Sequence, residues 1–394
     1  MNHSLFSADF QTNQPHILTE GIEITQPAGI ISYAASDTLL FARGDRLREE
    51  IKSRFFSDFE KDGDLMAHVS TFTLINGTLY MTYYANTHTG EEDSKHQTAR
   101  LVYCDEQHPD RKIFLDIQTV GDTCAGLPVN RVYDTILAPL CDGNLMILWT
   151  AQVGDNYYRL YRSFNTTSKA LGEIGVNRLR MGNVTNDFST TGIASAFAEN
   201  GIGCKKMYSD IGIMQKFTSR KENGEPYFYS GAYSGDLNFI IKTRDFITWE
   251  YVSQPDFPNL SKWENATYLL DDKIFYFVRQ QDTTPYGFLT VYDIDRDTWE
   301  APVLVDDCQS RSDFIFYNGE LYLFHAPVDR EHIGVIRINR ESIKDSCPVL
   351  LADLQSSCFY PFIQYLGDEL AMSYTVDRKH IRLARFDFSS YVKE

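Results

Sequence analysis

Seven two-residue turn signals divide this chain into similar units. The clearest is Asn76-Gly77, which lies between two runs of alternating apolar and polar residues. Type I′ turns need a positive φ at both central residues, so Asn-Gly between such runs is the strongest short-range signal for a β-hairpin. Comparable reversals lie at Ser36-Asp37, Asp142-Gly143, Asn223-Gly224, Asp271-Asp272, Asn318-Gly319 and Gly367-Asp368. Each signal is predicted to join two antiparallel strands.

The spacing of these turns is typical of a β-propeller. The last four begin at residues 223, 271, 318 and 367, and so lie 47 to 49 residues apart. Radial repetition of four-stranded units of this length leaves only short, protected sheet edges. The longer intervals after residues 76 and 142 leave room for insertions, including one between blades at about 178–208. We predict an all-β, seven-bladed propeller of four-stranded antiparallel blades, a single domain over 1–394, with six blades as the alternative.

The last unit is one strand short. A single strand, HIRLARFDF, follows its hairpin before residue 394. Propellers usually close by borrowing a strand from the other terminus. We therefore expect an N-terminal strand within Gly21–Thr25, centred on Ile22–Ile24, to complete the last blade.

Composition restricts the partners and the compartment. Asp and Glu number 54 against 37 Lys and Arg, a formal charge of −17, which repels nucleic acid and anionic membranes. No segment approaches the roughly 18 apolar residues of a membrane span. The seven cysteines contain no CxxC pair, and the first residues lack the pattern of a signal peptide. We expect a cytoplasmic protein with reduced thiols.

No cofactor motif is present in the sequence. GxGxxG before a helix, the P-loop, HExxH and GxSxG are all missing, so nucleotide binding and serine hydrolysis are unsupported. We expect no cofactor. A divalent metal stays open, because His68, His88 and His96 lie in one predicted blade, although their spacing matches no zinc signature.

Polar residues open the predicted innermost strands, which converge on the central channel of a propeller. These strand-opening candidates are His68, Tyr133, Asp134, Asp210, Glu264, Asn265, Arg311, Asp313 and Tyr360. A second set lies in the loops after the second strands, and among its members are Arg43, His88, Arg279, Arg330 and Arg378. If the innermost strands start on the functional face, the second strands end there, so both sets would surround one pocket.

The segments Asn238–Val252 and Phe288–Val305 each read as a strand, a turn containing Asp and an outer strand with Trp249 or Trp299, and these turns resemble degenerate Asp-boxes. In this pattern and in its hairpins, the chain resembles sialidase-like carbohydrate-active propellers. It is closest in pattern to the propeller-type polysaccharide lyases, namely the ulvan lyases and rhamnose-glucuronate lyases. That resemblance implies β-elimination on a uronate-containing oligosaccharide or polysaccharide, with His68, His88 and Tyr133 for acid-base chemistry. An arginine would neutralise the uronate carboxylate, and Arg311 is preferred over Arg159 and Arg279. These residue types suit proton abstraction next to a carboxylate.

Two other classes of function stay open. A glycoside hydrolase of the arabinanase type would use paired carboxylates, for which Asp134, Asp210 and Glu264 are the candidates. A true sialidase would need three arginines on the substrate carboxylate with a Tyr and Glu pair, and Arg43, Arg279, Arg311 and Arg378 could supply the arginines. A non-catalytic glycan-binding propeller is the third possibility. In each case Asn265, Asp313 and Tyr360 are expected to contact the sugar.

Overall fold

The computed structural model describes residues 27–34, 36–92, 95–202, 211–234, 237–255, 264–279, 286–328 and 330–392. The strand predicted within Gly21–Thr25 lies outside these ranges, as does Asp210. None of the helices in the described ranges is long and apolar enough to cross a membrane. The six cysteines among the described residues are unpaired thiols.

The N-terminal segment contains a helix where the sequence predicted the first hairpin. Its elements are strand β1 (Gly29–Ile31), helix α1 (Thr38–Ser53) and strand β2 (Phe55–Asp58). Asp37 does not turn a hairpin but caps α1, because its carboxylate accepts the backbone N–H groups of Leu39 and Leu40 at 3.1 and 3.4 Å. Leu40, Leu47 and Ile51 are buried along one face of the helix. The apolar residues after Asp37 recur at the spacing of a helix, and this pattern prevails over the short alternation that predicted a hairpin at Ser36-Asp37.

Three sheets follow in chain order, and we call them blades 1 to 3. Blade 1 consists of β3 (Met66–Ile75), β4 (Thr78–Asn86), β5 (Gln97–Asp105) and β6 (Ile113–Thr119). Blade 2 consists of β7 (Thr123–Cys124), β8 (Leu127–Pro139), β9 (Leu145–Val153), β10 (Asn156–Asn165), β11 (Ala170–Leu171) and β12 (Gly175–Val176). Blade 3 contains β13 (Arg178–Met181), β14 (Val184–Asp187), helix α2 (Thr190–Glu199), β15 (Ile211–Ile213), β16 (Thr218–Glu222), β17 (Glu225–Ser234), β18 (Leu237–Thr243) and β19 (Thr248–Ser253).

Three further sheets, blades 4 to 6, complete the described part of the chain. Blade 4 consists of β20 (Asn265–Leu270), β21 (Lys273–Val278), β22 (Tyr286–Asp293), β23 (Thr298–Trp299) and β24 (Val303–Asp306), with β1 added in parallel to β24. Blade 5 consists of β25 (Asp313–Tyr317), β26 (Glu320–His325), β27 (His332–Ile338), a 3₁₀ turn at Ile343–Asp345 and β28 (Cys347–Asp353). Blade 6 consists of β29 (Phe359–Leu366), β30 (Glu369–Val376) and β31 (His380–Phe386), and helix α3 (Ser389–Val392) follows.

The described residues thus form six blades rather than the seven predicted as the first choice, and the blades are antiparallel except for the outer pairs β1–β24 and β13–β19. The other six turn signals each join two antiparallel strands of one blade, as predicted; these pairs are β3–β4, β8–β9, β16–β17, β20–β21, β25–β26 and β29–β30. Asn76 and Gly77 have φ values of 50° and 75°, and Asn318 and Gly319 have 49° and 86°. These angles are those of the type I′ turns that the sequence predicted.

An N-terminal strand completes the last blade, although it is not the one predicted. Strand β2 pairs antiparallel with β31, in a register that places Ser57 opposite Leu383. Strands of each blade contact strands of the next, and β29 of blade 6 contacts β3 of blade 1, so the six blades form a closed ring.

The innermost strands begin, and the second strands end, at the same side of the ring. Met66 pairs with Asn86 in blade 1, and Asn265 pairs with Val278 in blade 4. We call this side the mouth.

The insertion predicted at 178–208 is part of blade 3 and does not form a lid in its described portion. Strand β13 pairs in parallel with β19 and antiparallel with β14, which extends the outer edge of the sheet. Ile193 and Phe197 of α2 are buried in the same apolar cluster as Trp249 of β19. The insertion therefore stabilises the outside of the ring, away from the mouth.

Candidate functional site

Three innermost strands are distorted where they reach the mouth. Each contains a register shift against its neighbouring strand, at His68/Thr71 in β3, Tyr133/Ile136 in β8 and Phe359/Phe362 in β29. Within these bulges Val69, Asp134 and Tyr360 have φ values of 57°, 47° and 54°. Left-handed backbone is costly for residues other than glycine, and bulges redirect side chains. Asp134 and Tyr360 are thereby turned out of the regular alternation and into the centre of the mouth.

Arg311 lies at the centre of this cluster. Its side chain is buried, and Nη2 donates to both carboxylate oxygens of Asp134 at 2.8 and 2.9 Å and to Oε1 of Glu264 at 3.2 Å. Burial opposes the charge on Arg311, but Asp134 and Glu264 together raise its pKa above the ordinary value. A charged guanidinium therefore links carboxylates from blades 2 and 4 to the start of blade 5.

Glu264 is an ionised carboxylate that accepts a hydrogen bond from a tyrosine. Burial alone would raise its pKa, but the guanidinium groups of Arg279 and Arg311 and the hydroxyl of Tyr360 lower the pKa to about 2. Arg279 Nη1 donates to Oε2 at 2.9 Å, and the Tyr360 hydroxyl donates to Oε1 at 2.7 Å. Burial and the charge of Glu264 in turn raise the pKa of Tyr360. The pair is a neutral phenol held against a negatively charged acceptor.

Three arginines surround this pair at the ends of the second strands. Arg279, Arg330 and Arg378 follow β21, β26 and β30, and we call them the arginine clamp. Burial lowers the pKa of Arg330, and so do the positive charges of Arg279 and Arg378. The guanidinium carbons of Arg330 and Arg378 each lie 5.4 Å from the centre of the Phe359 ring. The three cations are thus close enough to repel one another, and an aromatic ring supports two of them.

Glu92 connects the arginine clamp to blade 1. Its carboxylate forms an ion pair with Arg378 and accepts a hydrogen bond from the Tyr84 hydroxyl at 2.5 Å. The negative charge of Glu92 also contributes to the raised pKa of Tyr360. Glu92 therefore belongs to the same cluster as the Tyr360–Glu264 pair.

His68 lies beneath the tyrosine of this pair. Its imidazole is fully buried and stacks on the Tyr360 ring at 4.5 Å, and Nδ1 lies 3.1 Å from Thr375 Oγ1. Burial lowers the pKa of His68 well below 6.5, and the positive charges of Arg378 and Arg311 lower it further. His68 is therefore a neutral ring that supports Tyr360 from below.

Many of the predicted residues meet at the mouth. The cluster contains Asp134, Glu264, Arg279, Arg311, Tyr360, Arg378 and His68. Tyr133 is half-buried beside it, with its ring edge-on to Tyr84 at 6.2 Å. Arg159 is fully buried and donates to the backbone carbonyl of Asp134 at 2.9 Å, so it supports the bulge in β8.

Arg43 and His88 lie outside the cluster. Arg43 is on helix α1, which packs on the outer strand β28, and its guanidinium donates to the carbonyl of Val349 at 3.3 Å. The placement predicted for it depended on a first hairpin that the chain does not form. His88 lies on the exposed loop after β4 and stacks on His96 at 4.1 Å.

Asn265 and Asp313 join blades to one another. The Asn265 amide donates to the carbonyl of Ala232 at 3.0 Å and so connects blades 3 and 4. Asp313 accepts the backbone N–H of Ile363 at 2.9 Å and pairs with Lys216 at 3.0 Å. Both residues open innermost strands, as predicted, but the Asn265 amide N–H groups and the Asp313 carboxylate bind groups of neighbouring blades.

Sequence reasoning missed Glu92 and Phe359. Glu92 follows Glu91 in a polar loop, which is the usual pattern of a solvated surface. Phe359 begins a strand of apolar residues and resembles a core position. Neither had a signal of function in the sequence, because their roles depend on Arg330 and Arg378 from other blades. Among the described residues, no group of three or more His, Cys, Asp or Glu side chains could hold a metal ion.

Comparison with known proteins identifies the fold. No family model and no curated protein matches the sequence. Among solved structures, NanB with optactamide is similar over 86% of this chain and 71% of that chain, with a TM-score of 0.63 and 9% identity. The K499G mutant of NanB sialidase from Streptococcus pneumoniae covers 85% and 71%, with a TM-score of 0.54 and 10% identity. An α-L-arabinanase from Penicillium chrysogenum with arabinobiose covers 86% and 98%, with a TM-score of 0.51 and 9% identity. At such identities the similarity demonstrates a shared propeller fold.

Proposed function

We propose that this protein is a glycoside hydrolase that acts on an acidic sugar, with Tyr360 as nucleophile and Glu264 as its base. The observation that carries the proposal is the 2.7 Å hydrogen bond from the Tyr360 hydroxyl to an ionised Glu264, next to the arginine clamp. A tyrosine and glutamate pair with three arginines is the arrangement that a sialidase requires. The fold shared with NanB sialidase is consistent with this proposal.

The chemistry follows from the hydrogen bond. As Tyr360 Oη forms a bond to the anomeric carbon, its proton passes to Glu264, the bond to the leaving oxygen breaks, and that oxygen takes a proton from solvent. A neutral nucleophile suits a substrate that carries its own carboxylate, because an anionic one would be repelled. Water then attacks the anomeric carbon and loses a proton to solvent, the glycosyl–tyrosine bond breaks, and Glu264 returns the first proton to Tyr360. Sialidases are the known exception to the two-carboxylate mechanism for this reason.

The arginine clamp accounts for the acidic substrate. Guanidinium groups bind carboxylates through charge-assisted, often bidentate hydrogen bonds. The three guanidinium groups of the arginine clamp repel one another, since the positive charges of Arg279 and Arg378 lower the pKa of Arg330. A substrate carboxylate between these groups would relieve that repulsion. A neutral sugar such as arabinose would not.

A mechanism with paired carboxylates is less well supported. It requires one carboxyl group to carry a proton as general acid. Asp134 and Glu264 both accept from the buried Arg311, and the pKa of Glu264 is about 2. Both carboxylates are therefore engaged with one buried guanidinium, and this arrangement does not provide the protonated general acid that the paired-carboxylate mechanism needs.

The lyase prediction also receives little support. His68 is fully buried under Tyr360, and His88 lies on an exposed loop. Arg311, the preferred group for neutralising a uronate, is occupied by Asp134 and Glu264. A hydrolytic mechanism accounts for these contacts better than β-elimination does.

The test is hydrolysis of 4-methylumbelliferyl glycosides of N-acetylneuraminic acid, glucuronic acid and, as a neutral control, arabinose. We expect fluorophore release from an acidic glycoside, and Tyr360→Phe should lower kcat at least about 10³-fold. Tyr365→Phe is the matched control, because Tyr365 lies on the same strand but is 43% exposed.

Three results would contradict the proposal. Absorbance growing near 235 nm on a uronate polymer would indicate elimination. Release from the arabinoside alone would argue against an acidic substrate. Full activity of Tyr360→Phe would refute the assignment of the nucleophile.

A further inference from the structure

The innermost strand of blade 3 is interrupted, and the interruption sends a lysine across the ring. The break lies between β15 and β16, and Lys216 is within it. Its ammonium group pairs with Asp313 of blade 5 at 3.0 Å, donates to the backbone carbonyl of Ile363 in blade 6, and lies 4.7 Å from the centre of the Phe362 ring. Blades 3 and 6 are opposite one another in a ring of six, so Lys216 spans the central channel.

Lys216 and Asp313 together hold both backbone groups of Ile363. Asp313 accepts the N–H of Ile363 at 2.9 Å, and Lys216 donates to the carbonyl of the same residue. Ile363 lies in the regular part of β29, directly after the bulge that contains Tyr360. On the other side of this bulge, Ser310 Oγ accepts the backbone N–H of Tyr360 at 3.0 Å. The bulge is thus held at both ends, by Ser310 and by the Lys216–Asp313 pair.

Stability alone does not account for this ion pair. The side chains of Lys216 and Asp313 are 6% and 1% exposed. Burial raises the pKa of Asp313 to about 6, although the charge of Lys216 lowers it. The ionised form of Asp313 is therefore less favourable in the folded chain than in water. Buried ion pairs can often be replaced by apolar residues without loss of stability, and in some proteins they are retained because they specify one conformation.

We propose that Lys216 is a positioning residue for Tyr360. The inference rests on the function proposed above, in which Tyr360 Oη must reach the anomeric carbon while it donates to Glu264. The Lys216–Asp313 pair fixes Ile363 and hence the bulge, and the bulge determines where the Tyr360 hydroxyl lies. A displacement of about 1 Å in a reacting group can cost about 10²-fold in rate. The arginine clamp lies after β21, β26 and β30, so substrate binding should depend on Lys216 much less than catalysis does.

The double variant Lys216→Met/Asp313→Leu tests this role, because it replaces the pair by apolar side chains of similar size. It should not lower the melting temperature by more than about 3 °C. For an acidic 4-methylumbelliferyl glycoside that the wild type cleaves, kcat should fall about 10- to 100-fold. The Kd for N-acetylneuraminic acid or glucuronic acid, measured by isothermal titration, should change less than about threefold. Arg100→Met/Asp64→Leu is the matched control, since it removes a buried ion pair between β5 and the residues before β3, and its kcat should match the wild type.

A second variant and a structural measurement make the test independent of one protein and of activity. Lys216→Gln is a smaller change that removes the charge, and it should lower kcat at least about fivefold with the same Kd. A crystal structure of either variant should show the Tyr360 hydroxyl more than about 3.5 Å from Glu264 Oε1. In the wild type this distance is 2.7 Å.

Two kinds of result would overturn the positioning role. One is a wild-type kcat, or an intact Tyr360–Glu264 hydrogen bond, in a variant that lacks the Lys216 charge. The other is an equal loss of affinity and kcat together with a lower melting temperature, which indicates general structural damage. If the wild type neither binds nor cleaves an acidic sugar, the proposed function itself fails, and the crystal structures still decide whether Lys216 positions Tyr360. The two ideas can therefore be rejected separately.

Discussion

Replacing Glu264 by glutamine should change stability in a way that depends on pH. In the folded protein the pKa of Glu264 is lowered from 4.5 to about 2, and this difference corresponds to about 3 kcal/mol of stabilisation by the charged form. A lowered folded-state pKa means that the stabilisation is present above pH 4.5 and is lost as the pH falls towards 2. Glutamine resembles the protonated carboxyl group, so Glu264→Gln should cost about 3 kcal/mol at pH 7.

The difference between variant and wild type should shrink in acid. At pH 3 the wild type has lost about 2 of these 3 kcal/mol, which leaves a difference of about 1 kcal/mol. Urea unfolding at pH 7 and at pH 3, followed by tyrosine and tryptophan fluorescence, measures both values under the same linear extrapolation. The other titratable groups contribute equally to the pH dependence of both proteins, so their effects cancel in the difference. An equal difference at both pH values would refute the idea that Glu264 is held in its charged form by Arg279 and Arg311.

Two further substitutions test the support of the arginine clamp and the packing of α1. Phe359→Leu should raise KM for an acidic glycoside about 5- to 30-fold with little change in kcat, because two cation–π contacts with Arg330 and Arg378 are lost. Phe359→Trp should keep the wild-type KM. An unchanged KM in Phe359→Leu would contradict the idea that the ring supports the arginine clamp. Gly44→Ala should lower the free energy of unfolding by about 3 kcal/mol, since its Cβ would lie 1.8 Å from a β28 carbonyl oxygen. Gly29→Ala, whose Cβ meets its nearest neighbour at 3.6 Å, is the control in the same denaturation assay.

The turns of this fold were predictable because their chemistry is local. Asn76-Gly77 and Asn318-Gly319 adopt positive φ with little help from the rest of the chain. The pair Ser36-Asp37 has no glycine, and an aspartate serves equally well as the N-cap of a helix. Here the choice was made by the packing of α1 on β28, which the sequence around residue 37 does not encode.

The site was predictable to the extent that it depends on strand order. Glu264, Arg311 and Tyr360 lie at the starts of innermost strands, as predicted, and any propeller brings such positions together at the mouth. Asp134 was also predicted to open a strand, but it lies at a bulge within β8. The sequence contains no local signal for the bulges that turn Asp134 and Tyr360 inward. Nor could it distinguish these residues from Asn265, whose amide is used to join two blades. Pairings between residues 33 to 177 positions apart decide such roles, and no local pattern records them.

The N-terminal segment has a consequence for the order in which the protein can fold during its synthesis. Strand β1, helix α1 and strand β2 are made before the other described elements, yet they pair or pack with β24, β28 and β31, which are made about 270 to 330 residues later. Until then the apolar side of α1, with Leu47 and Ile51, has no partner, a state that invites aggregation or binding by chaperones. Contacts so distant in sequence also slow folding. The ring can close only after nearly the whole chain has left the ribosome, so its first elements are the last to reach their native positions.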